Sequence, residues 1–320
     1  MASVKIKSET FFKEKEEKRL CCKTIRRQSF FCFIQDEIKQ LKELDKIRTS
    51  ETYTAALRSI YSFRLGNDFM LDEINEEEIL RYEAYLKRNG NSMNTVSFYM
   101  RIFRAVYNRA VEKGLALQRY PFKHVYTGVD KTRKRAVSLK VIQQVKHLEL
   151  PLHSSLDFAR DMFMFSFYTR GMSFIDMAFL KKKDLKDGFL IYRRRKTGQQ
   201  MCVRWEKCMQ DIMDKYPYVE TEYLLPIITR EGSERQQYIN ALHLVNAKLK
   251  RMPLHTEYPV RLSMYVARHS WASIALNQHI PLSVISESMG HESESTTRIY
   301  LASLDNSVID NANAYILKKI

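Results

Sequence analysis

The stretch 265–300 constrains the fold of this chain most strongly, because it combines helical periodicity with a well-placed glycine. Small and apolar residues recur at helical spacing over 263–277, and a proline begins a shorter helical segment over 281–288. Gly290 follows as a left-handed stop. The polar run 295–297 then predicts the cap of a third helix.

Composition limits the class of protein. The chain has 320 residues, enough for two domains, and a formal net charge of +16, which indicates a polyanionic partner such as nucleic acid. No stretch approaches the roughly 18 apolar residues of a membrane span, and no apolar signal-peptide core follows the N-terminus. We therefore expect a cytoplasmic protein with no membrane partner. The five cysteines lack C-x-x-C spacing, so we expect free thiols and no metal site.

Three polar residues dominate the C-terminal stretch: Arg268 on a helix, His291 after the glycine, and Tyr300 nine positions later. This set, with the run M-G-H-x-x-x-x-T-T-x-x-Y, resembles the signature of the tyrosine recombinases, the phage-integrase family. The resemblance implies that Tyr300 is a nucleophile and that Arg268 and His291 act on a scissile phosphate. The alternative is that Arg268 and His291 are solvated surface groups and Tyr300 is an ordinary tyrosine, but this would leave their joint spacing unexplained.

One arginine of the family pattern is absent. The resemblance places it two residues after a glycine and three before an acid, where this chain has Ser173, between Gly171 and Asp176. Arg170 precedes Ser173 by about one turn if the helix continues, and we predict that it supplies the missing guanidinium. Arg160 is the reserve candidate, and Asp176 is expected to anchor the cations. The run R-G-M-S-F-x-D is similar to integrases of Bacteroides-type mobile elements.

A hairpin follows. Asp187-Gly188 is a turn signal, and 189–195 and 200–205 have strand-like patterns. The small sheet of the family carries a catalytic lysine at a turn or strand end, and Lys196 fits that role; the alternative is one more phosphate-binding cation. Three neighbouring arginines are predicted to contact the DNA backbone: Arg193, Arg194 and Arg195.

Tyr265 stands where the family usually has histidine. A phenol can donate a hydrogen bond to a phosphate oxygen but cannot shuttle protons near pH 7. Either Tyr265 contacts the phosphate or the acid–base work is shared differently, and His269 is predicted to be structural.

We predict a mainly α fold with a small antiparallel sheet, divided into two domains. Four helical patterns over 28–118 predict a bundle, which resembles the SAM-like core-binding domain of the family, and the catalytic domain would cover 137–320. Residues 1–27 would form a basic tail. Residues 119–136 would form a basic linker whose cations lie along DNA, namely Lys131, Arg133, Lys134 and Arg135.

Basic residues of the bundle suggest further phosphate contacts: Arg58, Arg64, Lys87, Arg88, Arg101, Arg104 and Arg109. The amphipathic segment after Tyr300 is expected either to pack on its own domain or to dock into a neighbouring protomer.

The resemblance implies site-specific recombination of double-stranded DNA through a covalent 3′-phosphotyrosine. Tyr300 would attack phosphorus, while Arg268 and Arg170 hold the non-bridging oxygens. Lys196 would protonate the leaving oxygen, and His291 would bind phosphate or help to deprotonate the tyrosine. No paired carboxylates or phosphate-binding loop are evident, so no metal, ATP or other cofactor is expected.

Recombination would use a homo-tetramer on paired DNA sites, with accessory DNA-bending proteins as further partners, and would integrate, excise or invert a mobile element. Two other classes stay open. One is a DNA-binding protein with this fold but little activity. The other is a monomeric type IB topoisomerase.

Overall fold

A computed structural model describes residues 28–130, 136–216, 220–256, 260–301 and 317, with only the backbone of 299–301. The chain divides into two units, Met1–Thr132 and Arg133–Ile320. Three predicted features lie outside the described residues: the N-terminal tail, the tail after Leu301 apart from Leu317, and the linker cations Lys131, Arg133, Lys134 and Arg135.

Four helices build the described part of the N-terminal unit: α1 (Phe30–Glu43), α2 (Ile47–Phe63), α3 (Glu76–Arg88) and α4 (Met93–Glu112). Ser29, Asn75 and Ser92 cap three of them, because each side chain accepts a hydrogen bond from a backbone N–H of the first turn. Helix α2 begins after Lys46, whose side chain makes no capping hydrogen bond.

The core of this unit is rich in aromatic rings. Phe30 stacks on Phe69 with ring centroids 4.9 Å apart, and Phe103 lies 4.8 Å from Phe30. Phe122 and Val125 are buried in the same core. The helical unit therefore continues beyond residue 118, into the segment expected to be linker.

Some cations of the bundle are used inside the unit. Glu37, only 3% exposed, receives hydrogen bonds of 2.6 Å from both Arg109 and Lys113. Burial acts to raise the pKa of Glu37, but these two cations lower it on balance. Two further predicted DNA contacts are paired with carboxylates of the same unit, Arg64 with Glu78 and Lys87 with Glu83.

The C-terminal unit surrounds a buried helix. Its described helices are α5 (Leu139–Lys146), α6 (Ser155–Tyr168), α7 (Phe174–Ala178), α8 (Lys207–Asp214), α9 (Glu234–Leu249), α10 (Met264–Asn277), α11 (Leu282–Ser288) and α12 (Glu294–Leu301). The apolar helix α6 packs against α9 and α10 at the centre of the core. No helix in the described ranges is long and apolar enough to cross a bilayer.

A three-stranded antiparallel sheet joins this core, with strands β1 (Leu185–Lys186), β2 (Phe189–Arg193) and β3 (Gln200–Arg204) in that order. The predicted Asp187-Gly188 turn is confirmed, since both residues have positive φ, at 53° and 75°. Side chains alternate along β2, so Leu190 and Tyr192 face the core. Arg194 and Lys196, which follow the end of β2, line a cavity of this unit.

Candidate active site

A cavity of about 590 Å³ in the C-terminal unit gathers side chains from distant parts of the sequence. Its lining includes Arg194, Lys196, Tyr265, Arg268 and His291. The turn after β2, helix α10 and the loop after α11 each contribute part of this set. Folding therefore concentrates cationic groups around one pocket, which suits an anionic ligand.

Arg268 lies at the base of the cavity and is only 8% exposed. Its Nη1 donates to the carbonyl of Gly171 at 2.7 Å, and its Nη2 donates to the carbonyl of Met289 at 2.6 Å. Gly171 permits this approach, because a Cβ there would lie 2.7 Å from the Arg268 Cα and its φ is +77°. The turn after α6 is thus shaped around the guanidinium.

Arg194 enters the same cavity and is only 7% exposed. Its Nη1 donates to the carbonyl of Gly290, and its Nε lies 4.0 Å from the carboxylate of Asp176. A Cβ on Gly290 would lie 2.6 Å from the Arg194 Cδ, so this glycine also makes room for an arginine. The sequence predicts Arg194 at the DNA backbone with its neighbours, but the structure buries it in the cavity that Arg268 also lines. Strand alternation could have indicated this, because 190, 192 and 194 share one face.

Arg170, the predicted substitute for the missing arginine, is not among the residues that line the cavity. The premise of a continuous helix is wrong, because Arg170 and Gly171 both have positive φ, 61° and 77°, and turn the chain after α6. Ser173 instead caps α7. The Arg170 Nη1 lies 3.4 Å from the carbonyl of Cys202 on β3.

Arg160, the reserve candidate, is held elsewhere on α6. Its guanidinium bonds the carboxylates of Asp157 and Asp161 and donates to the carbonyl of Leu148 at 2.7 Å. Two carboxylates offset its charge, and it does not line the cavity.

Asp176 connects the cation-bearing turn to α7. One carboxylate oxygen accepts the Ser173 hydroxyl at 2.6 Å, and the other accepts the backbone N–H of Arg195 at 2.9 Å. The carboxylate therefore ties the backbone next to Arg194 to the start of α7. This placement is consistent with the expected anchoring role.

His291 lies between Arg268 and the start of the tyrosine-bearing helix. Its Nε2 is 3.0 Å from the Arg268 Nη2, and its Nδ1 is 2.7 Å from the Thr297 hydroxyl. Burial, followed by the charges of Arg268, Arg194 and Lys196, lowers its pKa to about 4. A guanidinium only donates, so Nε2 accepts and the proton resides on Nδ1.

Thr297 does not cap the third helix as the sequence suggested. Helix α12 begins at Glu294, so Thr297 lies within its first turns, is buried, and bonds His291 instead. Tyr300 follows on the same helix, and its side chain lies outside the described atoms.

The other predicted site residues are distributed around the cavity. Lys196 is exposed at its edge, in the turn closed by the 2.8 Å bond from Gly198 N–H to the Arg194 carbonyl. Tyr265 is 57% exposed, lines the cavity one turn before Arg268, and packs edge-on against buried His269 with centroids 4.3 Å apart.

Two neighbouring arginines stay on the surface. Arg193 donates to the carbonyl of Gly198 at 3.2 Å, and the Arg195 guanidinium lies 4.1 Å from the centre of the Phe179 ring. Among the described residues, no group of three or more His, Cys, Asp or Glu side chains could hold a metal ion.

Comparison with protein families and curated proteins gives three matches. Residues 29–125 match the model of the phage integrase SAM-like domain, and residues 144–307 match that of the phage integrase family. Tyrosine recombinase XerA of Thermococcus kodakarensis is 25% identical over 234 residues, covering 71% of this chain and 77% of that protein.

Solved structures also share the fold. A lambda integrase tetramer bound to a Holliday junction has a TM-score of 0.64 at 14% identity, over 86% of this chain and 78% of that chain. The Tn1549 transposon integrase in complex with circular intermediate DNA has a TM-score of 0.63 at 14% identity, over 90% of this chain and 99% of that chain. At such identities, these likenesses establish the fold alone.

The loss of stability caused by replacing a glycine with alanine should depend on the atoms that surround the added methyl group. Gly171→Ala should lower the thermal unfolding temperature most, because its Cβ meets the backbone of Arg268. Gly290→Ala should cost less, since the Arg194 side chain can shift. The control is Gly188→Ala, with φ +75° and no atom within 4 Å, which adds only left-handed strain of about 1–2 kcal/mol. Equal losses in all three variants would contradict this packing.

His291 should remain uncharged well below neutral pH. Between its folded pKa of about 4 and the ordinary value of 6.5, the unfolded chain binds a proton that the folded chain does not. Stability should therefore fall as the pH drops through this window. A nitrogen-15 NMR titration of the folded protein should show a His291 midpoint near pH 4, and His291→Gln should flatten this part of the stability profile. An unshifted midpoint would contradict the burial and the cationic surroundings.

Proposed function

The chain belongs to the phage integrase family and is a site-specific tyrosine recombinase, and we propose that it cleaves and rejoins DNA through a 3′-phosphotyrosine on Tyr300. The observation that carries this mechanism is the convergence of Arg268, Arg194 and Lys196 on one cavity beside α12. A phosphodiester bound in this cavity would contact these cations and would lie next to the helix that carries Tyr300.

The two buried guanidiniums would stabilise the pentacoordinate phosphorus. Neutral carbonyl oxygens hold Arg268 and contact Arg194, so these bonds orient the guanidiniums without cancelling their charge. Guanidinium donors suit non-bridging phosphate oxygens, and donors fixed in advance stabilise charge as it develops. Tyr265 would add a phenolic donor from the cavity wall.

The charge of each side chain determines its part in the proton transfers. The Tyr300 oxygen forms a bond to phosphorus while the bond from phosphorus to the 5′-oxygen breaks. Lys196, a cation at the cavity edge, would give a proton to the leaving oxygen. His291 is neutral near pH 7 because its pKa is about 4. When a phosphate draws the Arg268 Nη2 away, the freed His291 Nε2 would accept the tyrosine proton. The covalent intermediate keeps the bond energy, and a free 5′-hydroxyl reverses the steps.

We assign the missing guanidinium to Arg194. Ser173 cannot supply charge, Arg170 faces β3, and Arg160 is paired with two carboxylates. Arg194 is buried in the cavity and its charge lowers the pKa of His291. Asp176 would position Arg194 through the bond to the following backbone N–H.

Substrate and assembly are also proposed from the family. The two similar solved structures described above are integrases with DNA, one of them a tetramer. We propose that this chain acts on double-stranded DNA as a homo-tetramer on paired sites, in the bacterial cytoplasm where the chromosome lies. Accessory DNA-bending proteins remain a prediction.

A nicked suicide substrate tests the arginine assignment. Arg194→Ala should slow formation of the covalent adduct by about 100- to 1,000-fold, as loss of one transition-state donor does. Arg170→Ala should form the adduct at a rate within about threefold of wild type. Its guanidinium does not line the cavity, so its removal should not affect the charge that develops on the phosphate. Arg193→Ala, from the same turn, is the matched control and should keep the wild-type rate at saturating DNA, because Arg193 does not line the cavity. Tyr300→Phe should form no adduct. Unfolding temperatures must be compared, since Arg194 also bonds the Gly290 carbonyl.

Equal losses in the Arg170 and Arg194 variants would overturn the assignment. An adduct absent even in wild type would favour the non-catalytic DNA-binding protein, and relaxation of a single duplex would favour the topoisomerase.

Cations of the N-terminal unit should divide into two groups in salt titrations of DNA binding. Arg58 and Arg104 are exposed on α2 and α4, so alanine at either should reduce the slope of log K against log salt by about 0.9 per lost phosphate contact. Arg109 and Arg64 are paired with Glu37 and Glu78. Alanine at these positions should lower the unfolding temperature and leave the slope unchanged. The reverse pattern would show that the paired cations contact DNA.

A further inference from the structure

Thr297 neither caps α12 nor faces solvent. It is 0% exposed, and it lies on α12 three residues before Tyr300, so the two residues are about one turn apart. Its hydroxyl is 2.7 Å from the His291 Nδ1 across a loop of the chain. A buried hydroxyl of this kind needs a partner, and the described one is an active-site histidine.

The hydrogen bonds have a defined direction. Arg268 can only donate, so the 3.0 Å contact makes the His291 Nε2 an acceptor. The neutral ring then carries its proton on Nδ1 and donates it to the Thr297 oxygen. An unbroken series of contacts runs from the carbonyl of Gly171 through Arg268 and His291 to α12.

We propose that Thr297 is a positioning residue that accepts the Nδ1–H of His291, fixes the orientation of the ring, and couples the docking of the nucleophile helix to the phosphate-binding arginine. The role in catalysis rests on the proposed function of Tyr300. When α12 is docked, Thr297 fixes the ring so that Nε2 faces the cavity. If α12 moves away, the Nδ1–H loses its acceptor, and the Nε2 orientation is no longer enforced. Catalytic competence of His291 would then depend on the position of the helix that delivers the tyrosine.

Ser295 provides a control on the same helix. It is exposed, is not among the residues that line the cavity, and contacts the Ser293 hydroxyl at 2.7 Å rather than the histidine. Ser295 and Thr297 both carry a hydroxyl in the first half of α12, so general effects of removing a hydroxyl from this helix should appear in both variants.

The experiment compares Thr297→Val, Thr297→Ser and Ser295→Ala in the full-length protein. Valine keeps the shape and removes the acceptor, while serine keeps the acceptor. Thr297→Val should slow covalent adduct formation about 10- to 100-fold with unchanged DNA affinity, because it leaves a buried donor unsatisfied. Thr297→Ser should retain the rate within about threefold, and Ser295→Ala should match wild type.

A readout independent of activity is the Nδ1–H of His291 itself. Nitrogen-15 NMR of histidine-labelled wild-type protein at pH 7 should show Nδ1–H for His291, with slow exchange of this proton with water. Thr297→Val should accelerate the exchange, because the proton loses its acceptor, and Thr297→Ser should keep it slow. An Nε2–H ring in wild type overturns the proposal even if the valine variant fails to fold. Equal loss of rate in the serine and valine variants, with the exchange of the Nδ1–H unchanged, also overturns it and indicates packing alone. If wild type forms no adduct, the proposed chemistry fails, and the exchange of the Nδ1–H still reports whether the coupling exists.

Discussion

The site depends on hydrogen bonds from buried guanidiniums to backbone carbonyls at two glycine turns. Gly171 accepts from Arg268 and Gly290 accepts from Arg194, and each glycine leaves space that a Cβ would fill. A carboxylate in direct contact would hold an arginine as firmly but would offset its charge. Carbonyl dipoles orient the side chain and leave positive potential in the cavity, as an anionic transition state requires. The more distant Asp176 positions the chain beside Arg194.

This accumulation of positive charge determines the state of the histidine. His291 lies within reach of three cations, and burial together with their charges makes protonation unfavourable. A neutral ring has one acceptor and one donor nitrogen, so its neighbours decide which nitrogen faces the substrate. Arg268 and Thr297 take one nitrogen each. The electrostatics of the cavity and the geometry of the tyrosine-bearing helix are therefore joined in one side chain.

The cations of the N-terminal unit fall into two groups, those paired with carboxylates and those exposed to solvent. Glu37 is buried and requires compensation, which Arg109 and Lys113 supply. Exposed arginines on α2 and α4 retain their charge for a polyanion. Net charge alone, +16 for the chain, does not distinguish the two groups. Their different surroundings explain why equal charges are expected to have unequal effects on DNA affinity.

The sequence by itself determined the local elements and the family. The Asp187-Gly188 turn depends on bonds within a few residues, so its sequence pattern was sufficient to predict it. The spacing from Arg268 to His291 and Tyr300 was sufficient to indicate a recombinase.

Strand alternation places Arg194 on the core side of β2, but only the tertiary structure decided that it shares a cavity with Arg268 and what Thr297 contacts. Arg194 meets Gly290 across 96 residues, and Arg170 is turned away by two consecutive positive φ angles. Such partners arise from the packing of a strand end against a distant helix terminus. Local propensity carries no information about that packing, and side-chain charge alone could not rank Arg170, Arg160 and Arg194.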